Sequence, residues 1–99
     1  MNPGDLVQIR HDEYLPEGTV AKPPVKSGLH PFWIYAEVRE VNLTSVKVRV
    51  KHPRNRLHGE ILDVARADIR TKADVLRMAQ AERDPIRQKH FANQAKVLS

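Results

Sequence analysis

The sequence predicts a mainly β domain with a helical tail: a small five-stranded β unit over residues 1–70, followed by one kinked or two short helices over 71–99. Three observations carry this. Apolar residues alternate with polar ones in "PFWIYAEVREV" and "VKVRVK", the period of a strand with one covered face. Turn formers separate these segments. At Thr71 the apolar spacing changes from two to three and four, the period of a helix.

The elements follow in order. "LVQIR" after the Pro3-Gly4-Asp5 turn signal reads as a first strand from Leu6 to Arg10. Residues 11–31 hold Pro16, Gly18, Pro23, Pro24, Gly28 and Pro31, so a long connection is expected there, with at most a short extended piece at "GTVAK". In the second strand Phe32, Ile34, Ala36 and Val38 share one face, and Trp33, Tyr35, Glu37 and Arg39 the other. "NLTS" turns into a third strand with Val46, Val48 and Val50 inward and Lys47, Arg49 and Lys51 outward. A basic loop, "KHPRNRLHG", leads to a fourth strand around Ile61 to Val64 and a short fifth at Asp68 to Arg70.

In the tail, Thr71 reads as an N-cap with Asp74 three residues on, and Val75, Leu76 and Ala79 form an apolar stripe. Pro85 breaks the pattern, and Asp84 suits the cap of a second segment. That segment carries Phe91, Ala95 and Leu98 at i, i+4 and i+7, a stripe that either packs on the β unit or pairs with a second copy.

Register follows from placing apolar residues opposite apolar ones, because a one-residue slip moves every side chain to the other face. Val38 then pairs with Val48 and Ala36 with Val50, which sets Glu37 opposite Arg49 and Tyr35 opposite Lys51. Val50 with Leu62 and Val48 with Val64 sets Arg49 opposite Asp63 and Lys51 opposite Ile61. On this reading Arg49 is neutralised between two carboxylates, while Lys51, Arg54 and Arg56 have no acidic neighbour.

"GDLVQIR", "WIYAEVREV", "VKVRV" and "GEILDVARADIRT" together resemble, over residues 4–71, the SH3-like β-barrels of the Tudor and Agenet kind. The resemblance implies a closed five-stranded barrel and, for Tudor domains, an aromatic cage for methylated lysine or arginine. Trp33 and Tyr35 match its second-strand part, and Tyr14 comes from the first loop. At the third-strand loop, however, Lys51, His52, Pro53 and Arg54 stand where the cage needs aromatics, and they would repel a methylammonium.

Composition narrows the function further. With 17 Lys+Arg against 12 Asp+Glu in 99 residues, the formal charge is +5, which favours anionic partners. The leading expectation is a non-catalytic module that binds nucleic acid. Lys47, Lys51, Arg54 and Arg56 would meet phosphates, and Trp33 and Tyr35 would stack on bases. The alternative is a protein-interaction or homo-oligomerising adaptor that uses the long loop or the tail.

No enzyme is expected: there is no Gly-x-Ser-x-Gly elbow, no phosphate-cradling loop among 4 glycines, and no cysteine. No metal or other cofactor is expected either, since the 5 histidines are scattered without a ligand spacing. No apolar run suits a membrane span, and "MNPGDLVQIR" lacks the pattern of an export signal, so a cytoplasmic protein without a membrane partner is expected.

Overall fold

The computed structural model describes residues 1–18 and 26–99. Five antiparallel strands, β1 (Leu6–Leu15), β2 (Gly28–Val41), β3 (Ser45–Val50), β4 (Ile61–Ala65) and β5 (Ile69–Arg70), precede two helices, α1 (Lys72–Ala81) and α2 (Pro85–Val97). A 3-10 turn at Arg66–Asp68 leads into β5. The fold is therefore mainly β with an α tail.

The strands form one sheet in the order β4-β3-β2-β1-β5. The expected closed barrel is not formed. No ladder joins β4 to β5, whose two residues pair only with β1 at Gln8 and Ile9. The sheet covers itself by curling. Val7, Ile9, Ile34, Ala36, Val38, Val46, Val48, Val50 and Ile69 form one buried cluster, and the residues packed against it also come from strands and the loop after β3. Burying these side chains, all but Ala36 β-branched, on one pleated face stabilises the sheet.

Between β2 and β3 the pairing is Ala36 with Val50, Glu37 with Arg49 and Val38 with Val48, the register that apolar matching predicts. A bulge then leaves Arg39 unmatched, and Glu40 pairs with Lys47 and Val41 with Val46. The extra residue reverses the alternation, so Val41 rather than Glu40 joins the core.

Between β3 and β4 the expectation is corrected by two residues. Val48 pairs with Leu62, Val46 with Val64, Lys47 with Asp63 and Arg49 with Ile61. A slip of two keeps every side chain on its own face, so apolar matching has no power to detect it. Backbone hydrogen bonds at the strand end decide the register: Val50 N–H donates to Glu60 O and Gly59 N–H to Val50 O, each at 2.9 Å. Gly59 adopts φ +87°, which an L side chain rarely tolerates, and this turns the chain back against β3.

The long connection expected over residues 11–31 is also corrected. β1 continues to Leu15 and β2 begins at Gly28, pairing Arg10 with Trp33, Asp12 with Pro31 and Tyr14 with Leu29 in a two-stranded arm that outruns β3 and β5. Pro31 is compatible with this arm for a geometric reason. Tyr35 directs its C=O toward the β3 side, where it accepts from Lys51 N–H at 2.9 Å. Pro31, four residues earlier in an alternating strand, faces the same side, where β3 has ended and no ladder bond is lost. Of the extended piece expected at 18–22, all but Gly18 lies outside the described residues.

Two helices form rather than one kinked helix. Thr71 Oγ1 accepts from Asp74 N–H at 3.3 Å and Asp74 Oδ2 accepts from Thr71 N–H at 2.9 Å, a reciprocal capping box made with aspartate. Asp84 caps α2 by accepting from Ile86 N–H at 2.9 Å, with Pro85 at the first helical position. Val75, Ala95 and Leu98 form a second buried cluster, joined by Phe91, by Leu6 of β1 and by Tyr35 of β2, so the helices cover the sheet's convex face. Leu76, expected in the inward stripe, is instead exposed.

The chain end adds to this contact, with Ser99 N–H donating to Leu6 O and Leu6 N–H to Ser99 Oγ, both at 3.1 Å. Beneath α2, Gln8 is 2% exposed. Its Nε2 donates to Gln94 Oε1 at 3.1 Å, and Gln94 Nε2 donates in turn to His90 Nε2 at 2.8 Å.

Candidate nucleic-acid interface

The loop over residues 51–60 is basic, but it is a built structure. Lys51 N–H donates to Tyr35 O at 2.9 Å, and His52 Nδ1 accepts from Tyr35 N–H at 3.3 Å, so the ring replaces the next ladder partner of β2. Asn55 N–H donates to His52 O at 2.8 Å, Leu57 N–H to Asn55 Oδ1 at 2.9 Å, and Glu60 N–H to Leu57 O at 2.9 Å. Leu57 packs against the sheet's core. Backbone hydrogen bonds within the loop and to β2 and β3 thus hold its course, and its apolar side chain anchors it.

What remains outward is charge. Lys51, Arg54 and Arg56 are exposed, and none pairs with a carboxylate among the described residues. A cationic tip on a fixed backbone can meet phosphate oxygens with little ordering cost.

Lys47 stands apart from this tip. It lies on β3 four residues before Lys51, about 14 Å along an extended chain. It is opposite both Glu40 and Asp63 in register, and its Nζ is 4.0 Å from Glu40 Oε2. Arg49, expected between two carboxylates, has Glu37 and Ile61 as its neighbours. Glu37 Oε1 is engaged instead by Arg39 Nη1 at 3.2 Å, and Arg49 Nε is buried without a hydrogen-bond partner.

The aromatic residues assigned to stacking are both occupied. Tyr35 stacks on His52, with ring centroids 5.6 Å apart and planes at 15°, and also packs against the helical cluster. Trp33 carries the Arg70 guanidinium over its ring, 3.6 Å from the centroid. Burial lowers the Arg70 pKa from its usual value, yet an arginine remains charged. Trp33 and Tyr35 are half-buried.

The structure brings a different aromatic to the loop. Glu13, Tyr14 and Arg56 line a concavity of about 310 Å³ where the β1–β2 arm meets the loop. Tyr14 is 65% exposed. The signal for it lay in the alternation of "RHDEYL", which continues β1, but the density of prolines and glycines downstream favours a loop in a purely local reading.

A separate groove of about 370 Å³ lies between the helices, lined by Leu76, Ala79, Pro85, Gln88 and Ala92 among others. Among the described residues, no group of three or more His, Asp or Glu side chains is placed to hold a metal ion, and no helix is long and apolar enough to cross a membrane.

Comparison with known proteins gives no match: no family model, no curated protein and no solved structure matches the chain.

Proposed function

We propose that this chain is a non-catalytic nucleic-acid-binding module whose phosphate-contacting element is the loop over 51–60. The observation that carries the reading is the pairing of a backbone held by hydrogen bonds with Lys51, Arg54 and Arg56 left exposed and, among the described residues, without carboxylate partners. Surface cations that serve only solubility are commonly interleaved with acids, as Lys47 is here with Glu40 and Asp63. The tip is not. Lys47 belongs to the reading as a peripheral contact, and the stacking role first assigned to Trp33 and Tyr35 is weakened by His52, Arg70 and the tail. The likeness to Tudor-type barrels is kept as a proposal about the fold alone, because cations occupy the cage positions.

The test is binding of a labelled oligonucleotide at several salt concentrations. The logarithm of affinity should fall linearly with the logarithm of salt, and Arg54→Ala with Arg56→Ala should reduce that slope by about 1 to 2. An unchanged slope contradicts the reading.

A second reading, protein interaction through the tail, is favoured by Ile86, which is 81% exposed, beside the inter-helix groove and the exposed Leu76. It predicts self-association or partner binding that Ile86→Glu abolishes and the loop substitutions leave intact.

A further inference from the structure

The rim of the basic loop has features that phosphate binding does not require. Tyr14 is the most exposed aromatic ring among the described residues, at 65%. It shares a concavity of about 310 Å³ with Arg56 and Glu13. Glu13 Oε1 lies 3.3 Å from His11 Nε2, two residues before it on the same side of β1. Tyr14, the next residue along the strand, leaves the opposite side, so what the concavity offers a ligand is an aromatic face and a guanidinium. A nucleotide has both matching parts. Its phosphate matches Arg56, and the flat π-face of its base matches the Tyr14 ring.

We propose that the Glu13–Tyr14–Arg56 concavity holds one unpaired nucleotide of a single strand, with its base stacked on Tyr14 and its phosphate on Arg56. This rests on the nucleic-acid reading above and narrows it, because a duplex keeps its bases stacked on one another and offers no free face. The site also relocates the stacking contact. Tyr35 is covered on one face by His52 and Trp33 by Arg70, whereas among the described residues no ring or cation stacks on Tyr14. Cation and aromatic together, with sequence-tolerant stacking, are the elements that single-strand-binding surfaces combine.

The experiment measures binding of the full chain to a mixed-sequence single strand of about 12 nucleotides and to the corresponding duplex across a salt series. The single strand should bind more tightly. Tyr14→Ala should weaken single-strand binding about 10-fold without changing the salt slope, because stacking releases no counterions, and Tyr14→Phe should retain it. Arg56→Ala should lower the slope by about 1. Duplex binding should be indifferent to Tyr14→Ala, which also reports that the variant is folded. Equal affinity for both forms, or single-strand binding unaffected by Tyr14→Ala, overturns this inference while leaving nucleic-acid binding standing. A chain that binds neither form overturns both.

Discussion

The imidazole of His52 lies against the phenol ring of Tyr35, 5.6 Å between centroids with planes 15° apart, while its Nδ1 accepts the Tyr35 N–H at 3.3 Å. One side chain therefore fixes the base of the basic loop and takes a stacking face away from Tyr35. The same contact explains why the loop is a structured tip and why a strand aromatic is not its partner.

His52→Ala should separate these roles. Losing a half-buried hydrogen bond and a ring contact should cost about 1 to 2 kcal/mol in urea unfolding. Nucleic-acid affinity should fall because the loop must be ordered on binding, whereas the salt slope should stay the same because every cation remains. A reduced slope would mean that His52 itself contacts phosphate.

The helix cap supplies a pH prediction. The Thr71 backbone N–H, then the Thr71 hydroxyl and Arg77, hold the Asp74 carboxyl below its usual pKa, against an opposing contribution from desolvation. A depressed carboxyl contributes stability that is complete above the unfolded carboxylate range and is lost as pH falls through the lower folded value. Asp74→Asn should cost about 1 kcal/mol at neutral pH and flatten the acid limb of stability. An acid limb identical to the wild type's would exclude Asp74 as its source.

The tail is integral to the sheet's convex face. Leu98 is buried with Val75 and Ala95 against Leu6 and Tyr35. Leu98→Ala should destabilise by about 2 to 4 kcal/mol, lowering the urea midpoint without altering the m-value. A cost below about 0.5 kcal/mol, the range of an ordinary surface substitution, would show that the tail detaches from the sheet in solution.

Lys47 is half-buried on β3 and Lys51 exposed just beyond its end, and their surroundings differ. Lys47→Ala should change the salt slope of binding less than Lys51→Ala, since Glu40 and Asp63 already face Lys47. Equal effects would place the ligand along β3 rather than on the tip.

The alternation in "WIYAEVREV" and "VKVRV" was enough for the register of β2 on β3, because a short turn leaves few choices. Across the basic loop the same test failed by two residues, since face parity is blind to even slips and Gly59 with Glu60, not an apolar residue, closes on Val50. Closure of the barrel was illegible for a related reason: a covered inner face is required by a barrel and by a curled open sheet alike. The helical stripe Phe91, Ala95 and Leu98 was visible, and so was the convex aromatic Tyr35, but nothing local says that the one covers the other. Tyr14 was expected in the first loop, and its place on β1 was hidden by the breakers that follow it. Its pairing with Leu29 depends on contact between segments on either side of the long connection.

The most direct measurement is the map of backbone amide shifts as a single-stranded oligonucleotide is added to the isotopically labelled chain. The account predicts the largest changes across residues 51–60 and at Glu13 and Tyr14, with α1 and α2 unaffected. Changes centred on Leu76, Gln88 and Ala92, with the basic loop silent, would contradict it.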